Sequence, residues 1–187
     1  MKTLEYLERP SDPFEVVIAR AGSGHALNIS GVYQDVVTRE WATQSYLRAT
    51  QIGGAESVQK KWYDVNALSD PGVLMEAVDS ALLADVIMVS VYAAEELPLN
   101  LYVWITAWLP RRPTRAGAMT AWVGVAEAQD SQTIRTIEYL QAVARRAKLE
   151  FVPQACPRTG APPAAAKPVK EADRQLYLYD PHWGLNE

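Results

Sequence analysis

Ala84-Asp85-Val86-Ile87-Met88-Val89-Ser90-Val91-Tyr92 is followed by Leu97-Pro98, a helical pattern ending near Leu109, and a second apolar run from Ala118 to Val125. Both runs are nearly unbroken, as expected of central parallel strands covered on their two faces. Between them Leu101, Trp104, Ile105 and Trp108 recur at helical spacing, with Pro98 at the opening and Pro110 and Pro113 at the close. Strand, helix and strand in this order make a complete crossover, and crossovers between parallel strands are right-handed. This unit sets an α/β fold.

Working outward, Asp70 is placed to cap a helix and Pro71 to occupy its first turn. Val73, Leu74, Ala77, Val78, Ala81 and Leu82 then form one apolar stripe. Before it, Val58 to Val65 alternates in mixed polarity, which suits an exposed edge strand. Asp130-Ser131 opens a further helix with the stripe Ile134, Ile137, Leu140, Val143, Ala144 and Ala147, and Glu150 to Ala155 reads as the last strand. Near the amino terminus, Phe14-Glu15-Val16-Val17-Ile18-Ala19 reads as the first strand, broken by Gly22-Ser23-Gly24-His25. A helix is then expected from an N-cap at Ser30 through Tyr33, Val36, Val37, Trp41 and Leu47 to Gly53-Gly54. Five alternations of strand and helix predict a three-layer α/β/α sandwich with a doubly wound, five-stranded parallel sheet of order 2-1-3-4-5. The domain is expected to span residues 1–156. Residues 157–187 read as an Ala/Pro-rich linker and a tail whose Leu176-Tyr177-Leu178-Tyr179 and Trp183 dock on the domain or on a second subunit.

The 187 residues suit a single domain of ordinary apolar content, and a net charge of -4 argues against nucleic acid as a main partner. The basic groups Arg111-Arg112 with Arg115, and Arg145-Arg146 with Lys148, fall at helix ends, where the helix dipole favours cations. A lone Cys156 leaves no intrachain disulfide and no cysteine zinc site, and its apolar, proline-flanked setting reads as inert. Met1 to Arg9 has no apolar core of a signal peptide, and no run approaches the roughly 20 apolar residues of a membrane span. A cytoplasmic protein is the expectation.

In a sheet of this order, ligands bind outside the carboxyl ends of the strands where the strand order reverses. The loops concerned are expected to be Arg20 to Asn28, Tyr92 to Leu97 and Ala126 to Ser131. Candidate contacts are Gly22, Ser23, Gly24 and His25, as a turn able to present N–H groups to a phosphate, with Tyr92, Ala93 and Glu95 on the facing loop. No Rossmann Gly-x-Gly-x-x-Gly, Walker Gly-Lys-Ser/Thr or Gly-x-Ser-x-Gly elbow occurs, and His25 and His182 have no acidic cluster to make a metal site. Glu95 and Glu96 precede a helix amino terminus and would repel a phosphate approaching the same opening. Trp104, Trp108 and Trp122 read as core, whereas Trp41, Trp62 and Trp183 stand in more polar segments and are candidates for an aromatic interface.

The stretch Asp85 to Leu109 resembles a segment of the NAD(P)H-dependent FMN reductases, enzymes of the flavodoxin-like superfamily. Tyr92 matches the family's tyrosine, Pro98 its helix-opening proline, and Trp108-Leu109 its closing pair; Val91 replaces a glutamate, Ala93 an asparagine, and Glu95 or Glu96 falls near a serine. The resemblance implies an isoalloxazine against Tyr92 and a phosphate at Gly22 to His25. Response-regulator receivers are similar in strand order only: their acidic pair, phosphoacceptor aspartate and lysine would fall on Arg20-Ala21-Gly22, Ser90-Val91-Tyr92 and Gln154-Ala155-Cys156. Without the acids there is no magnesium and no phosphoryl transfer. The expected function is a degenerate flavodoxin-like interaction module, with no catalytic apparatus and no resident cofactor, acting through a protein partner or a second copy. The alternatives are an FMN-dependent NAD(P)H oxidoreductase and a small-molecule sensor using the same crevice.

Overall fold

The computed structural model describes residues 26–54, 58–125 and 131–157. In chain order these form β1 (Leu27–Tyr33), α1 (Val36–Gly53), β2 (Val58–Asp64), α2 (Pro71–Leu83), β3 (Val86–Tyr92), α3 (Leu99–Trp108), β4 (Ala118–Val125), α4 (Ser131–Arg146) and β5 (Glu150–Pro157). Short 3-10 turns at Ala67–Ser69 and Leu109–Arg111 lead into α2 and out of α3. The strands make one parallel sheet of order β2-β1-β3-β4-β5, the flavodoxin-like arrangement anticipated from the crossover.

β3 and β4 are the buried centre. Every residue from Val86 to Val91 is buried, and Val86 pairs with Ala118 through to Tyr92 with Gly124. The α3 stripe Leu101, Trp104, Ile105 and Trp108 is at most 1% exposed, as its spacing predicted. Burying each such side chain stabilises the fold by about 1.5–3 kcal/mol. The other face of the sheet carries a smaller cluster of Leu27, Ile29, Ala49, Val58, Val86, Met88 and Ala118 under α1. At the edge, β2 keeps Gln59, Lys60 and Lys61 exposed, which discourages strand addition.

The amino-terminal reading requires correction. Phe14–Ala19 lies outside the described residues, and the first strand of the sheet is Leu27–Tyr33, a stretch read as loop and helix. Ser30 is not an N-cap but a buried residue in mid-strand, and Tyr33 ends the strand. The expectation failed because Ser30 and Gly31 interrupt the β-branched pattern. Gly31 is there for packing, since the Trp62 ring lies where a Cβ would go. The helix starts instead at Val36, capped by Asp35, and closes at Gly54 as the glycine pair predicted. Val36, Val37 and Leu47 of the expected stripe are exposed, and the buried face is Thr38, Trp41, Ala42, Ser45 and Ala49. Trp41, an interface candidate from sequence, is fully buried; Trp62 is half-buried, and Trp183 lies outside the described residues. In α4 the inward face begins with Thr133 and Thr136, while Ile134 is 50% exposed.

The basic group after α3 caps a helix, but a different one. Arg112 donates from Nη1 to the Ala81 carbonyl at 2.6 Å and from Nη2 to the Ala84 carbonyl at 2.8 Å, closing the carboxyl end of α2. Arg115 reaches the Leu83 carbonyl and pairs with Asp85 at 2.8 Å, and the Asp85 carboxylate also accepts from the Asn28 N–H at 2.9 Å. Burial and the neighbouring Arg115 pull Arg112 down to about 10, against the pull of Asp85, so it stays charged at neutral pH.

Candidate functional site

The strand order reverses between β1 and β3, so a ligand crevice belongs at the carboxyl ends of these two strands. On the β1 side it is bounded by the two-residue turn Gln34-Asp35, since β1 ends at Tyr33. Gly22, Ser23, Gly24 and His25 lie outside the described residues, and in sequence they precede β1. On the β3 side stand Tyr92 and the loop Ala93 to Pro98.

At the described part of the crevice the chain's own polar side chains bond to one another. Asp35 and Thr38 form a reciprocal cap: the Thr38 N–H donates to Asp35 Oδ1 at 2.8 Å, and the Asp35 N–H donates to Thr38 Oγ1 at 2.8 Å. The second carboxylate oxygen of Asp35 accepts from the Tyr92 hydroxyl at 2.9 Å. Burial pushes the Asp35 carboxyl up, but the Thr38 N–H, the Tyr92 hydroxyl and further donors outweigh it and hold the group below the ordinary aspartate range. Beside it, the Tyr92 N–H donates to Gln34 Oε1 at 3.0 Å, and the Gln34 N–H donates to the Ser90 carbonyl at 3.1 Å. The Ser90 hydroxyl donates to the Thr38 carbonyl at 2.6 Å, tying α1 to the centre of the sheet.

Aromatic packing closes the floor. The Trp41 and Tyr92 rings meet edge to face, with centroids 5.8 Å apart and planes at 77°. Both rest on Gly124 of β4, where a Cβ would stand 2.5 Å from Tyr92 Cδ1 and 2.6 Å from Trp41 Cη2. The site candidates from sequence therefore part company. Tyr92 faces α1, and Ala93 is buried with its N–H donating to the Gly124 carbonyl at 2.8 Å. Glu95 is exposed and turns to the opposite side of the sheet. There, with Ala94, Leu97, Tyr102, Arg135 and Tyr139, it lines a hollow of about 200 Å³. The Tyr102 and Tyr139 rings meet in it at 5.2 Å, and burial pushes the Tyr139 phenol up. A larger hollow of about 350 Å³ lies near the amino ends of β1 and β2, against α2, away from the switch point.

Gln34, Asp35, Thr38 and Trp41 are the members of this constellation that sequence reasoning missed. The available signal was Asp35-Val36-Val37-Thr38, an N-cap residue with a hydrogen-bonding side chain three positions on. The described loops at this end carry Asp35, Asp70, Glu95 and Glu96, with Asp64 at the end of β2, and no lysine or arginine. Asp70 is engaged in capping α2, bonded by the Gly72 and Val73 N–H groups at 2.8 and 3.0 Å. Among the described residues no three His, Cys, Asp or Glu side chains gather to hold a metal ion, and no helix is long and apolar enough to cross a membrane.

No protein-family model matches the sequence, and no curated protein matches it. Among solved structures, the fold is similar to a two-electron reduced flavodoxin from Megasphaera elsdenii, at 12% identity and a TM-score of 0.47, over 70% of this chain and 85% of that one. It is also similar to a Trp repressor binding protein from Bacillus subtilis, at 12% identity and a TM-score of 0.45, over 72% of this chain and 88% of that one. An azoreductase from Bacillus anthracis str. Sterne matches at 11% identity and a TM-score of 0.44, over 69% of this chain and 86% of that one. These likenesses concern the fold alone.

Proposed function

We propose that this protein is a binding module on a flavodoxin-like scaffold, acting through protein contacts and not through a flavin in the switch-point crevice. One observation carries the reading. The Asp35 carboxylate already sits on the amino terminus of α1 and is held there by the Tyr92 hydroxyl at 2.9 Å. An anion arriving at that helix end would have to displace a carboxylate from its donors and then share the opening with it. The carboxylates around the rim repel it further. The alternative, FMN with its phosphate at Gly22 to His25 and its ring on Tyr92, asks Tyr92 to serve a ligand while its hydroxyl and ring are both engaged.

What the rim offers outward is apolar and acidic. Val36 and Leu99, the first residues of α1 and α3, are 79% and 74% exposed, and Glu95 and Glu96 stand beside the second of them. Such a surface suits a partner carrying apolar and basic groups. Two measurements test the reading on the full chain. Titration with FMN, followed by flavin fluorescence and visible absorbance, should find no site tighter than about 100 μM, near -5.5 kcal/mol. A stoichiometric flavin complex at low micromolar concentration would overturn it. A photo-crosslinker at position 99 should capture a partner band in cells that Glu95→Lys with Glu96→Lys abolishes; a band indifferent to both charges would count against this rim.

A further inference from the structure

The helices are shared unevenly between the two faces of the sheet. The crossovers β2–β3, β3–β4 and β4–β5 all step in one direction, so right-handed connections place α2, α3 and α4 on one face. Only β1–β2 steps the other way, which leaves α1 as the one helix among the described residues on the opposite face. It seats on β1 and β3, with its flanks on β2 and β4, and no described helix of that face lies over β5. The strip beside α1 is made by Thr120 and Trp122 of β4 and Val152, Gln154 and Cys156 of β5, in register across the pair. Thr120 and Cys156 are nonetheless only 2% and 1% exposed, the Trp122 ring N–H is buried, and Trp122, Val152 and Gln154 are otherwise half-buried. Side chains on an uncovered strand face would be open to water.

We propose that residues 14–19, Phe14-Glu15-Val16-Val17-Ile18-Ala19, dock on this strip over β4 and β5, alongside α1. Reach favours this segment. The described chain starts at Ala26, at the amino end of β1, and six intervening residues span up to about 20 Å. β4 lies two strands away, about 10 Å. So short a tether makes docking effectively intramolecular at high local concentration. Chemistry agrees, because five of these six side chains are apolar, and Glu15 and Asp12 complement Arg48. Arg48 is exposed seven residues after Trp41, on the α1 flank that meets β4. The carboxyl-terminal segment fits less well. Its Ala/Pro-rich composition over 158–168 favours polyproline conformations, which at about 3.1 Å per residue would carry the chain about 34 Å, beyond the roughly 26 Å of β5, before the apolar Leu176 to Tyr179 begins.

Cys156, the only cysteine and a member of the strip, is the probe. Full-length Val16→Cys, Val17→Cys and Ile18→Cys are oxidised mildly and read on a non-reducing gel. At least one should form an intramolecular disulfide with Cys156, and Leu178→Cys should not. Trapping from position 178, disulfide-linked dimers, or no trapping from any of the three would each overturn the proposal, the first two by naming the tail or a second copy as the occupant. Independently, Val17→Asp with Ile18→Asp should speed thiol labelling of Cys156 at least tenfold while the far-ultraviolet circular dichroism is retained. An unchanged labelling rate would also overturn it, and if that variant fails to fold the trapping result decides.

Discussion

Asp35→Ala removes two interactions at once, and the cost follows from the geometry. Losing the cap on the Thr38 N–H, now at 2.8 Å, costs about 1 kcal/mol. The half-buried Tyr92 hydroxyl loses its charged acceptor at 2.9 Å, which adds about 1 kcal/mol at a site partly open to water. The sum, about 2 kcal/mol, lowers the thermal midpoint by about 4–8 °C for a chain of this length. Urea denaturation followed by tryptophan fluorescence is a suitable assay, since Trp41 packs on Tyr92. A cycle with Tyr92→Phe isolates the bond, with an expected coupling of about 1 kcal/mol. The pH dependence has a definite sign. The folded carboxyl is held below its unfolded value, so its contribution is complete at neutral pH and is lost as pH falls below about 4. The penalty of Asp35→Ala should shrink in the same window. A penalty under about 0.5 kcal/mol at pH 7, with coupling indistinguishable from zero, would refute the idea that this carboxylate holds the crevice shut.

Gly124→Ala forces a methyl group to within 2.5–2.6 Å of the buried Trp41 ring and the half-buried Tyr92 ring and should destabilise by about 1–3 kcal/mol in chemical denaturation; a neutral result would mean that Trp41 and Tyr92 are not seated on β4. Arg112→Ala strips two hydrogen bonds from the carboxyl end of α2 and should cost about 2–3 kcal/mol, whereas Arg112→Lys should recover only part, because an ammonium cannot reach both carbonyls as a fork does. Equal stability of the lysine variant and the parent would contradict that. Burial pushes the Cys156 thiol up to about 11, so labelling of the folded protein at pH 8 should be far slower than in urea, where the thiol titrates near about 8.5; equal rates would place the thiol in water.

Much of this fold could be read because its central strands satisfy a demand that sequence expresses directly. β3 and β4 are buried along nearly their whole length, so almost every position is apolar, Ser90 and Thr120 excepted, and the run from Val86 to Val91 announces it. Asp70-Pro71 ahead of α2 and the tryptophan stripe of α3 are equally local signals, one of capping and one of period. β1 was illegible for the opposite reason. Its Gly31 answers to the Trp62 ring packed against it, and its Ser30 is a buried polar residue, so neither speaks for a strand by propensity. Propensity is a weak prior that tertiary context overrides.

The sequence alone determined the class of the protein: a parallel α/β sheet of order 2-1-3-4-5, with the crevice at the carboxyl ends of its strands, because hydrophobic period and crossover handedness leave few other arrangements. What occupies that crevice was decided only in three dimensions. Asp35 and Tyr92 are 57 residues apart in the chain, and Gly124 lies 32 beyond Tyr92, yet parallel pairing sets all three at one end of adjacent strands. A hydrogen bond between residues so distant leaves no periodic trace in either segment. It exists because β1 and β3 are neighbours in the sheet and not in sequence.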